Sequence, residues 1–219
     1  IPGPDTVASF QAFIDRHGKL PPGQTLRQRL SRRDATRLER VAGALGFDIA
    51  ALDAQRPWLT ALQLASADLI RSGQSSDHGV EIVLAAEAAR TGKRLSTLET
   101  LEEQLGVLSN LPPADEAHFL SVTLAEIGAS DDMVAEMDRA WAAGDVAALE
   151  RAFETQWRKA GPAVHAAIIL NRNRAWADEI EQRLDGAGRI FVAVGAAHLI
   201  GDGSVVELLR SRGITVQGP

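Results

Sequence analysis

The feature that most constrains the fold is a β-branched run near the C-terminus that ends in small residues and a histidine. Within "RIFVAVGAAHLIGDG" (189–203), the apolar run 190–194 predicts a buried strand over 189–194. A helix predicted over 204–212 and a second β-type run, "ITVQ" (214–217), follow. Because a helix between two strands is typical of parallel pairing, the pattern predicts an α/β protein with a small, partly parallel sheet.

The rest of the chain mostly predicts helices. Further helices are expected from Asp5, Ser31, Pro57, Asp77 and Thr100, and over 113–128, 131–142, 145–158 and 162–185. One more β-type run, residues 93–100, precedes the helix that Thr100 opens. We therefore expect one domain over 1–219, mostly helical by residue count, in which residues 101–160 form a helical insertion between strands.

Composition excludes several classes of protein. The net charge of −6 over 219 residues argues against nucleic acid as the main partner, and the arginine-rich stretch 26–40 reads as a solvated helical face. No apolar run has the 18 or so residues that a membrane span requires. The chain has no cysteine, so thiolate metal sites and disulfides are impossible.

His198 is the first candidate for a functional residue. It follows the predicted strand 189–194 at the strand's C-terminal end, where open α/β sheets bind their ligands. Gly195 is expected to let the backbone turn sharply and to leave room beside the imidazole. The residues support two interpretations: half of a metal site, or a turn that happens to contain a histidine.

Two glutamates could share that site. Glu99 ends the predicted strand 93–100, so parallel pairing would bring it to the sheet edge that carries His198, as a metal ligand or a general base. Its charge could equally favour only the following helix N-terminus. Glu81 lies three residues after His78 on one predicted helix face, a spacing that suits either a metal or a solvent-facing pair.

The helix predicted over 162–185 carries a candidate cation. His165, Arg172 and Trp176 follow each other at spacings of seven and four, which places them on one side of a helix. An arginine among apolar neighbours needs an anionic partner. Arg172 is therefore expected either to make a structural ion pair or to bind a substrate oxyanion, whereas His165 reads as a packed histidine.

Taken together, several segments resemble the TraB/GumN family, which includes the Tiki metalloproteases. The matching segments are "RPW" (56–58), "GVEIVL" (79–84), "LETLEEQL" (98–105), "NRNRAWADEI" (171–180) and "FVAVGAAHLIGDGSVVELLRSRGITV" (191–216). They occur in the family's order with comparable spacing, and they span most of the chain. The resemblance implies a fold like that of erythromycin esterase and ChaN, and an exported, periplasmic location.

The resemblance also implies roles for individual residues. The family's site is thought to use two Gly-x-x-His motifs with acidic residues, and the C-terminal motif maps onto Gly195 and His198. The same mapping gives Glu99, Glu81 and Arg172 as site residues. Two departures stand out: Asn171 occupies a position that is often acidic in relatives, and the first Gly-x-x-His is absent, as if the chain began after it.

These observations lead to three hypotheses. The first is a metal-dependent hydrolase acting on peptide or related amide bonds, with Mn, Co or Zn bound by His198 and Glu99 and with Arg172 stabilising negative charge. The second is a non-catalytic module that binds a small ligand or a haem-like group at the same edge. The third is an interaction scaffold built on the acidic helices of residues 101–160.

Overall fold

The residues described by the computed structural model are 4–75, 79–128 and 131–218. The chain divides into two compact units, Ile1–Asp131 and Asp132–Pro219. The division falls inside the helical insertion expected over 101–160. Among the described residues, no helix is both long enough and apolar enough to cross a membrane.

The first unit is helical. Its helices are α1 (Pro4–His17), α2 (Arg32–Leu45), α3 (Ile49–Asp53), α4 (Pro57–Arg71), α5 (Val80–Arg90), α6 (Leu101–Ser109) and α7 (Pro113–Glu126), with a 3-10 turn at Arg27–Arg29. The capping signals act as expected: Ser31 accepts a hydrogen bond from the third residue of α2, and Thr100 forms a capping box with Glu103. Pro57 opens α4. The start expected at Asp77 lies outside the described residues.

Apolar residues three and four positions apart build the core of this unit. Leu38 of α2, Leu64 of α4 and Leu120 of α7 are fully buried in one cluster. A second cluster joins Phe13 of α1 to Trp58 of α4, whose rings meet edge to face at 6.3 Å. The first unit therefore has an apolar interior built mainly by its helices.

Arg56 ties three helices of this unit together just before α4. Its guanidinium donates to the buried Glu116 carboxylate on α7, to the His17 carbonyl at the end of α1 (3.1 Å) and to the Ser109 carbonyl at the end of α6 (2.7 Å). Helix C-termini leave carbonyls without intrahelical donors, and the arginine satisfies two of them. The "RPW" segment is therefore a structural junction.

The second unit contains the long helix expected over 162–185. Its elements are α8 (Asp131–Ala143), α9 (Val146–Ala160), α10 (Pro162–His165), a π-helical segment (Ala166–Leu170), α11 (Asn171–Leu184), a 3-10 turn (Ala196–His198) and α12 (Val205–Ser211). Helical backbone angles at His165 and Leu170 make α10, the π segment and α11 one continuous helix. The four helices expected over 113–185 are confirmed.

The expected α/β fold is wrong. The β-type runs 93–100, 189–194 and 214–217 form no strand, and in the described ranges the only bridge outside helices is the isolated antiparallel one between Lys19 and Gln55. A strand exists only when a neighbour pairs with it, and none of these runs meets one. Phe191 is 81% exposed, although a parallel strand would bury it.

Candidate functional site

His198 lies in the second unit, at the end of the 3-10 turn Ala196–His198. The turn closes because the His198 N–H donates to the Gly195 carbonyl at 2.9 Å. The side chain of His198 is buried, with 7% of the residue exposed. The turn thus carries the histidine inward, although the segment before it is not the expected strand.

Gly195 does not make the sharp turn that the sequence predicted. Its backbone angles, φ −59° and ψ 144°, suit any residue. A β-carbon added there would lie 3.8 Å from Cδ2 of His198, which is an ordinary contact. The glycine therefore widens the space beside the imidazole without being required by the backbone.

Arg172 reaches His198 from the start of α11. Its Nη1 lies 3.3 Å from His198 Nε2 and also donates to the Ile168 carbonyl at 3.0 Å. Ile168 belongs to the π-helical segment, and such segments are frequent at functional sites. The guanidinium carbon lies 4.6 Å from the ring centroid of Trp176, so a cation–π contact also holds the arginine.

Trp176 forms the wall behind both polar side chains. Its ring centroid lies 4.4 Å from that of His198, with 44° between the ring planes. The tryptophan is itself buried. The expected alignment of Arg172 and Trp176 on one helix face is confirmed, and the face packs against the imidazole.

Asn173 belongs to the site and was not predicted from the sequence. It is fully buried; its Oδ1 lies 2.6 Å from His198 Nδ1, and its amide N–H donates to the Gly203 carbonyl at 2.8 Å. Asn173 stands on the stripe that continues through Trp176, Ala177 and Ile180, all buried. A polar residue on an apolar stripe needs buried partners, and that signal could have revealed it.

Burial controls the protonation of His198. Burial, and then the positive charge of Arg172, lower the pKa of the imidazole from 6.5 to about 4. The ring is therefore neutral at pH 7. A neutral imidazole can accept a proton or bind a metal, and an imidazolium can do neither.

His165 does not join this cluster. Its ring stacks on Trp157 of α9, with the centroids 5.1 Å apart and the planes 11° from parallel. Burial lowers the pKa of His165. The interpretation of this residue as a packed histidine agrees with the contact.

The two candidate glutamates belong to the first unit. Glu99 is half-buried on the bend that precedes the N-cap Thr100. Glu81 is exposed in the first turn of α5, where a carboxylate favours the helix N-terminus, and His78 lies outside the described residues. Gly195, Arg172 and His198 are thus brought together in one unit, whereas both glutamates lie in the other.

In the second unit, His198 is the candidate donor for a divalent metal. His198 is neutral and buried, and it therefore fits as a single ligand. An ion at Nε2 would require Arg172 to move aside, because Nη1 lies 3.3 Å from that nitrogen. No group of three or more histidine, aspartate or glutamate side chains in the described residues is placed to hold a metal.

Comparison with known proteins gives the family. The sequence model of the TraB/PrgY/gumN family matches residues 3–218. The uncharacterized protein YbaP of Escherichia coli (strain K12) is 25% identical over 191 residues, which cover 87% of this chain and 70% of YbaP, and YbaP of Shigella flexneri matches equally. An uncharacterized protein of Treponema pallidum (strain Nichols) is 24% identical over 96% of this chain and 67% of its own length. No solved structure matches. The chain belongs to the TraB/PrgY/gumN family.

Proposed function

We propose that this chain carries part of the active site of a metal-dependent hydrolase that cleaves peptide or related amide bonds. The observation that carries the proposal is the contact between a neutral, buried His198 and the guanidinium of Arg172. The imidazole of His198 can accept a proton or bind a metal ion, and the guanidinium of Arg172 can stabilise negative charge that develops during the reaction. The resemblance to the Tiki metalloproteases adds the reaction class.

The proposed metal ligands are His198 and Glu99, with Glu81 as a supporting carboxylate. Nitrogen and oxygen donors suit Mn, Co or Zn alike. Such an ion, when bound, would lower the pKa of a coordinated water and so supply the attacking hydroxide. Glu99 is proposed from the resemblance and its position on a bend.

Arg172 has the second role in this proposal. Amide hydrolysis places negative charge on the carbonyl oxygen, and the guanidinium of Arg172, which must move aside from Nε2 for an ion to bind, would stabilise that charge. The Ile168 carbonyl and the Trp176 ring hold the guanidinium plane. Because a charged oxygen accepts better than a neutral ring nitrogen, a substrate oxyanion would compete with His198 for this donor.

Calorimetric titration with Mn²⁺, Co²⁺ and Zn²⁺ tests the metal site. We expect His198→Gln to weaken binding at least tenfold, since outer interactions alone are worth 10 to 100-fold and a ligand more. His165→Gln, which changes the other histidine of the same unit, is the matched control and should bind like the unmodified chain. A quenched-fluorescence peptide assay with each metal then tests cleavage, which Glu99→Gln should abolish. Absence of both binding and metal-stimulated cleavage would refute the proposal.

A second candidate is a module that binds a small carboxylate ligand or a haem-like group without chemistry. The observation that favours it is the place of Arg172, whose guanidinium lies where an ion on His198 Nε2 would be. Under this hypothesis Arg172→Met abolishes ligand binding and Glu99→Gln leaves it intact. A ligand retained through purification, or a visible absorbance band, would support it, and tight metal binding by a colourless protein would contradict it.

We also propose an exported, periplasmic location, on the resemblance to exported members of the family. Fractionation of bacterial cells that produce the protein tests this part separately. Recovery with cytoplasmic markers would contradict the location without affecting the proposed chemistry.

A further inference from the structure

We propose that Asn173 is a positioning residue that holds the proton of His198 on Nδ1 and thereby makes Nε2 the nitrogen available for chemistry. Asn173 is fully buried on α11 and touches the ring directly, with Oδ1 2.6 Å from Nδ1. A neutral imidazole carries its proton on one nitrogen only. Whichever group sets that choice therefore decides which nitrogen reacts.

The choice follows from what each partner can donate or accept. The Gly203 carbonyl only accepts hydrogen bonds, so the atom of Asn173 that faces it at 2.8 Å must be the amide nitrogen. The amide oxygen then faces His198 Nδ1. Because that oxygen also only accepts, Nδ1 must carry the proton.

The contact on the opposite side of the ring independently indicates the same tautomer. Arg172 only donates, and its Nη1 lies 3.3 Å from Nε2. Nε2 must therefore present a lone pair to the guanidinium. Two partners on two sides of the imidazole thus select the same tautomer.

Gly203 provides the carbonyl that orients Asn173 toward His198. Its φ of +72° is a left-handed conformation that other residues rarely adopt, and a β-carbon there would lie 2.7 Å from Cδ2 of Leu170. Its own N–H donates to the Glu207 side chain on α12. The carbonyl that orients Asn173 therefore belongs to a glycine that has a left-handed backbone conformation and a hydrogen bond to α12.

This inference concerns the ring nitrogens of the metal-free chain. It needs neither a bound ion nor a substrate, and so it stands or fails apart from the proposed function. If both hold, Asn173 acts on catalysis through His198 and does not touch the reacting atoms.

Nitrogen-15 NMR of the histidine rings is the direct test. In metal-free protein at neutral pH, a protonated ring nitrogen resonates far upfield of an unprotonated one, and His198→Gln identifies the His198 signals. We expect a single form with Nδ1 protonated. A proton on Nε2, or an even mixture of the two forms, would overturn the proposal.

Variants separate Asn173 from its neighbours. Arg172→Met alone should retain the single-tautomer pattern, because the Asn173 oxygen remains. Asn173→Ala combined with Arg172→Met removes both partners of the ring and should lose the pattern. The matched control is Asn171→Ala, which removes the same residue type from the exposed side of α11 and should leave the signals unchanged.

A pair of glycine variants, both made with Arg172→Met, provides a second test if the Asn173→Ala double variant does not fold. Gly203→Ala should broaden or mix the tautomer signals, because its β-carbon would lie 2.7 Å from the Leu170 side chain at a left-handed φ. Gly213→Ala carries a similar φ of +82° with nothing within 4 Å, so it introduces the backbone strain alone. Unchanged His198 signals when Asn173→Ala, or Gly203→Ala, is combined with Arg172→Met in a folded protein would contradict the role of Asn173.

Discussion

Two arginines, Arg56 in the first unit and Arg172 in the second, reach polar partners beneath the surface but face different groups. Arg56 bonds to the buried carboxylate of Glu116 and to two helix-end carbonyls. Arg172 contacts the imidazole of His198 and lies over the Trp176 ring. The first arginine matches a buried charge, whereas the second adds to the effect of burial in lowering the pKa of His198, a group that can bind or release a proton.

The difference separates structural roles from chemical ones. An ion pair that also satisfies helix termini holds elements in place, and removing one partner leaves the other charge buried. A guanidinium beside an imidazole changes which protonation state the ring prefers. The comparison therefore predicts large stability effects at Arg56 and effects that depend on pH at His198.

The largest effect is expected at Arg56. Arg56→Met leaves the Glu116 carboxylate buried without its cation, so the free energy of unfolding should fall by about 3 to 5 kcal/mol. Urea unfolding followed by circular dichroism measures the loss. Arg40→Ala, at an exposed position of α2, is the matched control and should leave the transition where it is.

A double variant sharpens this prediction. Arg56→Met with Glu116→Leu removes both charges and fills the space with apolar groups, which is often neutral for stability. Most of the loss should therefore be recovered. If Arg56→Met lowered the free energy of unfolding by less than about 1 kcal/mol, the structural role of Arg56 would be contradicted. Arg56 would then contribute no more to stability than an arginine in a surface ion pair.

A smaller effect, visible only through pH, is expected at His198. The unfolded imidazole takes up its proton near pH 6.5, but the folded one does so only near pH 4. Between these values the unfolded state binds more protons, so stability falls as the pH is lowered from about 7 toward 4. The complete loss from this group is about 3 kcal/mol.

His198→Gln isolates that contribution. Unfolding free energies of the metal-free chain and of the variant are measured across the same pH range, so that other titrating groups cancel in the difference. The advantage of the unmodified chain should shrink steadily as the pH falls through this window. Parallel curves would show that the folded state does not depress the pKa of His198.

Local signals predicted much of the helical structure. The caps at Ser31 and Thr100 and the start at Pro57 depend on neighbours within one turn, and each is confirmed. The strand over 189–194 failed because pairing depends on residues far away in the chain. A β-branched run specifies an extended backbone and cannot supply its own partner.

The candidate site shows the same limit. His198 and Arg172 were chosen from local context, and the structure brings them into contact. Asn173 was missed because its importance comes from Gly203, thirty positions later, and from a ring nitrogen on another element. Nothing local marks such a residue except its place on an apolar helix face.

The smallest effect on stability is expected at a third arginine, Arg90. It tests whether the burial of the ion pair or the geometry of its hydrogen bonds makes Arg56 important for stability. Arg90 bonds to Glu87 along the exposed side of α5 at 2.6 and 2.8 Å, with 72% and 52% of the two side chains exposed. Water and salt screen this pair, so Arg90→Ala should leave the urea midpoint unchanged at low and at high salt. A loss as large as that of Arg56→Met would mean that bond geometry outweighs burial. The buried carboxylate of Glu116 would then not explain why Arg56 matters for stability. The sites of Arg56 and Arg172 would differ only in the imidazole that Arg172 contacts.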